Sequence, residues 1–415
     1  MSFILSIPNF IFSGDLLSVN YSVILKKLLK VHDCLPFTNG QFYLFLTLAF
    51  IVAILLRKKF KTSAKAYLNF LTIVSFIYIF FLYTKPFHFL GFVLFGYLIF
   101  KQFSQKRKWT GIKVIILYAF PLFFMKLFNV LPEFNHSIQS IFQIAGLSYA
   151  TFKMLQIHFD EAERSQISLK TYFSFLAFPP TLLIGPIDRY DRFNKNISLG
   201  FSTINSENIN KGFDYLIKGL LYKYILATAI HNLVLTHLDG LEGIYYHVSY
   251  MYTYLIYLFF DFAGYSLLAM AFGHFLGIQV PYNFDKPFLA QNPKEFWHRW
   301  HKSLGDWLND YFFKPIFKDL TTRKKFTSIQ RQGLALLLTF TLMGFWNGFE
   351  LHYIVSGVLF GLYSVIYNYY NYQCKKNGKD VVFGNLNPTI VRYLSILILF
   401  NAVAFSIYIF SGNLF

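Results

Sequence analysis

Apolar residues in this chain come in long unbroken runs, not in the alternation of a half-buried strand. Runs near residues 41–56, 67–83, 86–100, 112–130, 139–157, 171–185, 212–235, 247–277, 332–347, 350–370 and 390–411 suit spans of a bilayer core about 30 Å thick, which about 20 helical residues cross. Runs of this length predict helices, because a barrel strand needs only about 9–11 residues. The 247–277 run is long enough for a tilted helix and part of a second, so the pattern predicts about eleven transmembrane helices. One segment breaks the rule. NFDKPFLAQNPKEFWHRWHKSLGDWLNDYFF, residues 283–313, sets three tryptophans, two histidines and several charges where membrane is expected. From Pro293 to Phe313 it has helical spacing: Phe296, Trp300, Leu304, Trp307 and Tyr311 form an aromatic stripe, and Lys294, His298, His301 and Gly305 a more polar one. Two such faces predict an interfacial or re-entrant helix.

Composition agrees with a polytopic membrane protein: 55% of residues are hydrophobic, 21% aromatic and 14% charged, with mean hydropathy +0.43, beyond the range of soluble domains. The net charge of +18 is clustered. Arg57, Lys58, Lys59 and Lys61 follow the first strong span, and Lys101, Lys106, Arg107 and Lys108 follow the third. Arg323, Lys324, Lys325 and Arg331, then Lys375, Lys376 and Lys379, mark two further loops. Cytoplasmic loops retain Lys and Arg, so these loops are expected inside, and the first strong span is entered from outside. A face so basic would also steer an acidic soluble partner. Cys34 and Cys374 stand far apart, outside any metal-ligand or disulfide pattern. No repeat and no Pro/Gly/Ser-rich linker divides the chain. Residues 37–415 are therefore expected to be a single membrane domain, preceded by an extension, 1–36, whose Lys26, Lys27 and Lys30 suggest an interfacial helix. That N-terminus carries no signal-peptide pattern.

Candidate chemistry falls in four places. His298 and His301 lie in the aromatic segment, and imidazole is the side chain suited to take a proton near neutral pH. As metal ligands the two lack an evident third partner. Asp261 interrupts an apolar run, where a carboxylate costs about 2.5–3.5 kcal/mol and must face protein, water or a cation. MGFWNGFELHYIVSGVLFG, residues 343–361, holds Asn347, Glu350 and His352 among glycines that permit close helix approach or a helix break. Asp188 and Arg192, four apart, suit a surface ion pair.

Read in order, GPIDRYDRF (185–193), FFDFAGYS (259–266), NFDKPF (283–288), KEFWHRWHKSL (294–304) and MGFWNGFELHYI (343–354) resemble the successive signature blocks of the membrane-bound O-acyltransferases. They most resemble members that pass D-alanine from a cytoplasmic carrier protein towards lipoteichoic acid in Gram-positive bacteria. The resemblance implies an all-α polytopic fold, with transmembrane helices in a ring, re-entrant helices at its centre, an outer funnel and a tunnel from the carrier side. It implies a multi-pass protein of the cell membrane whose donor is a thioester on phosphopantetheine. That group is supplied by an acidic D-alanyl carrier protein, with no cofactor or metal held by this chain. The implied acceptor is lipoteichoic acid or a relay membrane subunit, and the implied surroundings are membrane lipids; nucleic acid is not an implied partner.

The family histidine of the RWH-SL block maps onto His301. The other, which follows Trp in a Trp-His-Gly triplet, is replaced: here the triplet is Trp346, Asn347, Gly348. Asparagine cannot act as a base. His352 is the expected replacement, with His301 as its partner or as the alternative base, and Asn347 as a donor to the thioester oxygen. Five residues of ideal helix turn about 500°, leaving His352 about 140° from position 347, so a break near Gly348 is required. Trp297, Trp300, Ser303, Trp346, Asp261 and Asp285 are expected along the tunnel, and Lys314, Lys318, Lys324 and Lys325 where the carrier docks. Other readings are an O-acetyltransferase for an extracellular polysaccharide, a transporter or flippase, and a non-catalytic scaffold.

Overall fold

The computed structural model describes residues 36–38, 40–103, 112–130, 145–160, 167–323, 326–378 and 386–414. The N-terminal extension before residue 36, Cys34, and Lys324 and Lys325 lie outside these. The regular secondary structure of the described residues is helical, apart from one isolated β-bridge, Phe284 with Trp300. They pack as two compact units: the described residues up to Ile217 with Leu267–Val280, and Lys218–Ser266 with the chain from Pro281 onward.

The first unit begins with α1 (Gly40–Phe60), α2 (Ala64–Leu82) and α3 (Pro86–Phe103), and continues through α4 (Ile112–Val130), α5 (Leu147–Phe159), α6 (Leu169–Leu176) and α7 (Tyr190–Leu199). The large side chains exposed along the middle of α1, Leu44, Leu48, Ile51, Val52 and Leu55, are all apolar. An outward face this apolar is stable against lipid, not water. Its inward face joins an aromatic core in which Phe42 meets Tyr78 at 5.5 Å and Phe272 at 6.2 Å between ring centroids. The expected 171–185 span is shorter: α6 starts at its Ser168 cap and ends before a 3-10 turn at Pro179–Thr181, because Pro179 and Pro180 have no N–H to continue the α-helix and bias the residue before them out of the helical region. Asp188 and Arg192 pair at 2.6 Å, but the Asp188 side chain is buried, so the pair is not a surface one.

The 212–235 run becomes α8 (Ser206–Leu220), a π-helical turn at Leu221–Ala227 and α9 (Thr228–Leu233) in unbroken succession. Next comes α10 (Gly243–Leu276), a single helix of 34 residues that absorbs the whole 247–277 run. The unit boundary between Ser266 and Leu267 falls inside it. The aromatic segment forms α11 (Pro293–Arg299), α12 (Lys302–Leu308), a π turn at Asn309–Phe313 and α13 (Lys314–Thr322). Then follow α14 (Ser328–Asn347), α15 (Leu351–Lys376) and α16 (Pro388–Phe410). Among the described residues six helices, α1, α2, α3, α10, α15 and α16, are long and apolar enough to cross a membrane. The protein is therefore an all-α, multi-pass membrane protein.

In the second unit Lys375 and Lys376 close α15, the end that the clustered basic residues lead one to expect on the inner side. α14 and α15 form a hairpin whose backbones nearly touch: a Cβ at Gly357 would sit 2.5 Å from the Phe340 carbonyl oxygen, and one at Gly344 2.6 Å from that of Tyr353. At the far end of α16, Tyr408 bonds His247 at 2.6 Å, which ties that end to the Gly243 end of α10. Gly357→Ala is expected to cost about 1–3 kcal/mol through overpacking, measured as a lower Tm in detergent. Gly91→Ala, where a Cβ meets nothing within 4 Å, should leave Tm unchanged or higher.

Candidate active site

The aromatic segment is not the single helix its spacing predicts. It breaks at His301, whose φ of 44° and ψ of 49° lie in the left-handed region, a conformation costing a residue with a Cβ about 1–2 kcal/mol. The aromatic stripe is nevertheless buried throughout, at Phe296, Trp300, Leu304, Trp307 and Tyr311. Backbone groups released by the break must find partners inside protein if hydrocarbon surrounds them. Residues 283–285 supply them. Asp285 N donates to Arg299 O at 2.9 Å and Lys302 N donates to Asn283 O at 3.0 Å, on either side of the Phe284–Trp300 bridge. His301 O then accepts from Leu304 N and Gly305 N, at 3.0 and 3.1 Å, and opens α12.

The side chains follow. Asn283, 1% exposed, accepts from Ser303 Oγ at 2.5 Å and Ser303 N at 3.2 Å, and donates through Nδ2 to Ser266 Oγ at 3.2 Å. The His301 ring stands edge-on to Phe262, centroids 4.6 Å apart. It is 6% exposed, and its Nε2 has no hydrogen-bond partner among the described residues. His301 lies outside every spanning helix, and burial pushes its imidazole down from 6.5 to about 3. It is therefore neutral across the physiological range, and with the proton on Nδ1 its Nε2 is an acceptor. Trp297 packs against Phe340 and Phe360, centroids at 5.1 and 4.9 Å; its Nε1 also lacks a partner among the described residues. Phe262 stands about 29 Å along a helix about 51 Å long. One residue earlier, Asp261 binds Lys223 Nζ at 2.6 Å, and that ammonium lies over the Tyr265 ring at 4.7 Å. Lys223 belongs to the π turn at 221–227, and π turns mark functional sites with some frequency.

Asn347 and His352 sit elsewhere. α14 ends at Asn347, Gly348 is extended, and α15 starts at Leu351 after the cap Glu350. The break required near Gly348 is therefore present. A Cβ at Gly348 would meet Glu350 Oε2 at 2.2 Å and Tyr353 Cδ2 at 2.4 Å, so a larger residue here would have to displace both side chains. Asn347 Nδ2 donates to Met343 O at 2.9 Å, back along its own helix. His352 lies in the first turn of α15, its ring centroid 4.0 Å from that of Tyr353 and its Cε1 3.4 Å from where a Cβ on Gly412 would be. No hydrogen bond joins it to His301 Nε2.

A buried neutral imidazole with an acceptor nitrogen is a setting for proton abstraction, and the chain's relatives agree with that chemistry. The model of the membrane-bound O-acyltransferase family matches residues 66–409. The chain belongs to the membrane-bound O-acyltransferases. It is 33% identical to a teichoic acid D-alanyltransferase of Bacillus subtilis, over 77% of this chain and 82% of that protein. It is 34% identical to one of Streptococcus thermophilus, over 76% of this chain and 79% of that protein. A third, from Lacticaseibacillus rhamnosus, is 30% identical over 91% of this chain and 97% of that protein.

Within this O-acyltransferase the expected site residues divide. Trp297, Trp300, His301 and Ser303 flank one turn, with Asp261 beside the Phe262 that His301 touches. Asn347 and His352, with Trp346, belong to the α14–α15 hairpin instead. Asp285 enters the turn through its backbone, and its side chain is exposed. Lys314 and Lys318 are exposed on α13, Lys314 paired with Asp310 at 2.8 Å. Reading the sequence missed Asn283, Ser266, Phe262 and Lys223. Lys223 had a signal, a charge inside the 212–235 apolar run; Asn283 had only its place in NFDKPF.

Lys223→Met is expected to destabilise the enzyme by about 3–5 kcal/mol, because it strands the Asp261 carboxylate. Thermal unfolding in detergent should show this, with most of the loss recovered in Lys223→Met/Asp261→Leu. A second expectation concerns pH. Only neutral imidazole accepts a proton, so lowering its pKa moves the acid limb of kcat/KM that His301 causes from near 6.5 to near 3. A limb near 6.5 that vanishes in His301→Asn would contradict this.

Proposed function

We propose that this acyltransferase moves D-alanine from a thioester on a cytoplasmic carrier protein across the membrane towards lipoteichoic acid, with His301 as the general base. The observation that carries the reading is the buried His301 Nε2, unpartnered among the described residues and held against the middle of α10, in a chain whose relatives are named teichoic acid D-alanyltransferases. The donor is the carrier's phosphopantetheine thioester. An acceptor hydroxyl gives its proton to His301 Nε2 as its oxygen bonds the D-alanyl carbonyl carbon; the C–S bond then breaks, and the departing thiolate takes the proton and leaves as free thiol. A thioester is activated, so positioning, proton removal and support of the oxyanion suffice. The acceptor is lipoteichoic acid or a small membrane subunit that relays the D-alanine to it.

An acidic carrier suits the inner face, where Lys314 and Lys318 are exposed and Lys324 and Lys325 follow in sequence. His352 lies in the first turn of α15, the end that the basic residues closing that helix lead one to expect on the outer side, and so suits the arrival of an acceptor. Burial supports His301 over His352 as the base: the His301 imidazole is the more withdrawn from solvent of the two, where water that would hydrolyse the thioester is excluded.

The test is the D-alanine ester content of lipoteichoic acid in cells lacking the protein, complemented at matched membrane levels. Wild type should restore the esters, His301→Ala should reduce them at least about 100-fold, and His352→Ala should retain a measurable fraction. Full restoration by His301→Ala would sink the assignment, and no restoration by wild type would sink the D-alanyl reading itself.

A further inference from the structure

Asn283 has no assigned role, yet it is the most heavily engaged side chain at the His301 turn. We infer that Asn283 is a positioning residue for His301, acting through the turn it holds and not by touching substrate. The inference rests on His301 being the base.

The argument starts from strain. His301 occupies a left-handed conformation that a β-carbon disfavours, and such a residue persists only where its surroundings over-determine it. Before His301 the chain is tied by the Phe284–Trp300 bridge and by Asp285 N to Arg299 O. After it, both ties run to one residue: Lys302 N binds the Asn283 carbonyl at 3.0 Å, and Ser303 N and Oγ bind Asn283 Oδ1 at 3.2 and 2.5 Å. Asn283 is itself anchored, since its Nδ2 donates to Ser266 Oγ on α10 at 3.2 Å. Ser266 and Phe262 are four apart and share a face of α10, and Phe262 is the ring on which His301 rests. One amide therefore bridges the strained turn to the helix face that receives the imidazole. Removing it frees the turn to relax, and Nε2 moves with it.

The side chain suits this task. An amide accepts twice at Oδ1 and donates from Nδ2, which fits the three bonds seen. Aspartate would keep the two acceptor bonds and lose the donor to Ser266, while adding a buried charge. Leucine would keep the approximate volume and lose all three.

The experiment uses the full-length enzyme in liposomes with D-alanyl carrier protein as donor, measuring kcat and KM for Asn283→Ala, Ser266→Ala, His301→Ala and Asn283→Ala/His301→Ala, with assembly checked by detergent gel filtration and Tm. Asn283→Ala should lower kcat about 10–100-fold with KM changed less than about threefold. Ser266→Ala, which removes only the anchor, should lower kcat in the same direction by a smaller factor. The double variant should be no slower than His301→Ala alone, because a residue that acts through another adds nothing once that other is gone. Wild-type kcat in a well-assembled Asn283→Ala, or a further loss in the double variant, overturns the inference. If Asn283→Ala does not assemble, Ser266→Ala decides: unchanged kcat counts against the bridge, a selective kcat loss for it. Full activity in His301→Ala would instead overturn the catalytic reading beneath it, a distinct result.

Discussion

A broken helix can exist at membrane depth only if protein replaces the hydrogen bonds that the break releases, and this constraint organises the core of the second unit. The turn at His301 gives up helical bonding over a few residues, and the 283–285 segment restores it with one bridge and two flanking bonds. Everything else there depends on this repair. It lets α11 and α12 change direction without exposing amides, it keeps the aromatic stripe from Phe296 to Tyr311 buried across the break, and it brings an imidazole against Phe262. Were the segment one continuous helix, His301 would follow His298 by 300° of rotation, and its orientation would be set by helix packing alone.

The same constraint explains the ionisable groups nearby. A lone carboxylate on α10 would be expensive in hydrocarbon, and Asp261 meets Lys223 at 2.6 Å. The π turn carries that lysine at a close approach: a Cβ on Gly264 would come within 2.7 Å of Lys223 N. A small residue on one helix and a widened turn on the other thus let a cation reach an anion deep in the unit. In the first unit Lys153, also buried, is satisfied by the Phe175 carbonyl and by Thr181, at 3.0–3.2 Å. In both units a charge is admitted to the interior only with its partners.

The two histidines singled out by type and context occupy different settings. His352 starts a helix after a cap and lies near the turn at Gly412, less buried than His301. His301 is withdrawn among aromatic rings, neutral by burial and tied on both flanks. For acyl transfer from an activated thioester, the second setting supplies what chemistry demands of a base: a fixed position, a lone pair and exclusion of bulk water. The Asn347 that replaces a histidine in the Trp-His-Gly pattern spends one amide hydrogen on its own helix, at Met343 O, which aligns it at the end of α14.

How far the residues alone carry depends on the range of the interaction. Run length and composition determined the all-α polytopic class, because partition into a bilayer is a local property of each segment. The signature blocks determined the family and pointed to His301, and the glycines around Gly348 announced the helix break. Helical spacing from Pro293 to Phe313 correctly placed the buried stripe but could not show the left-handed turn, since the bonds that hold it come from residues 283–285. Nor could it show that Lys223 neutralises Asp261 across 38 positions, or that Asn283 reaches both Ser303 and Ser266. Those pairings are decided by which segments the fold brings within 3 Å of one another. Sequence reports what each residue can donate, accept or bury; tertiary structure decides to whom.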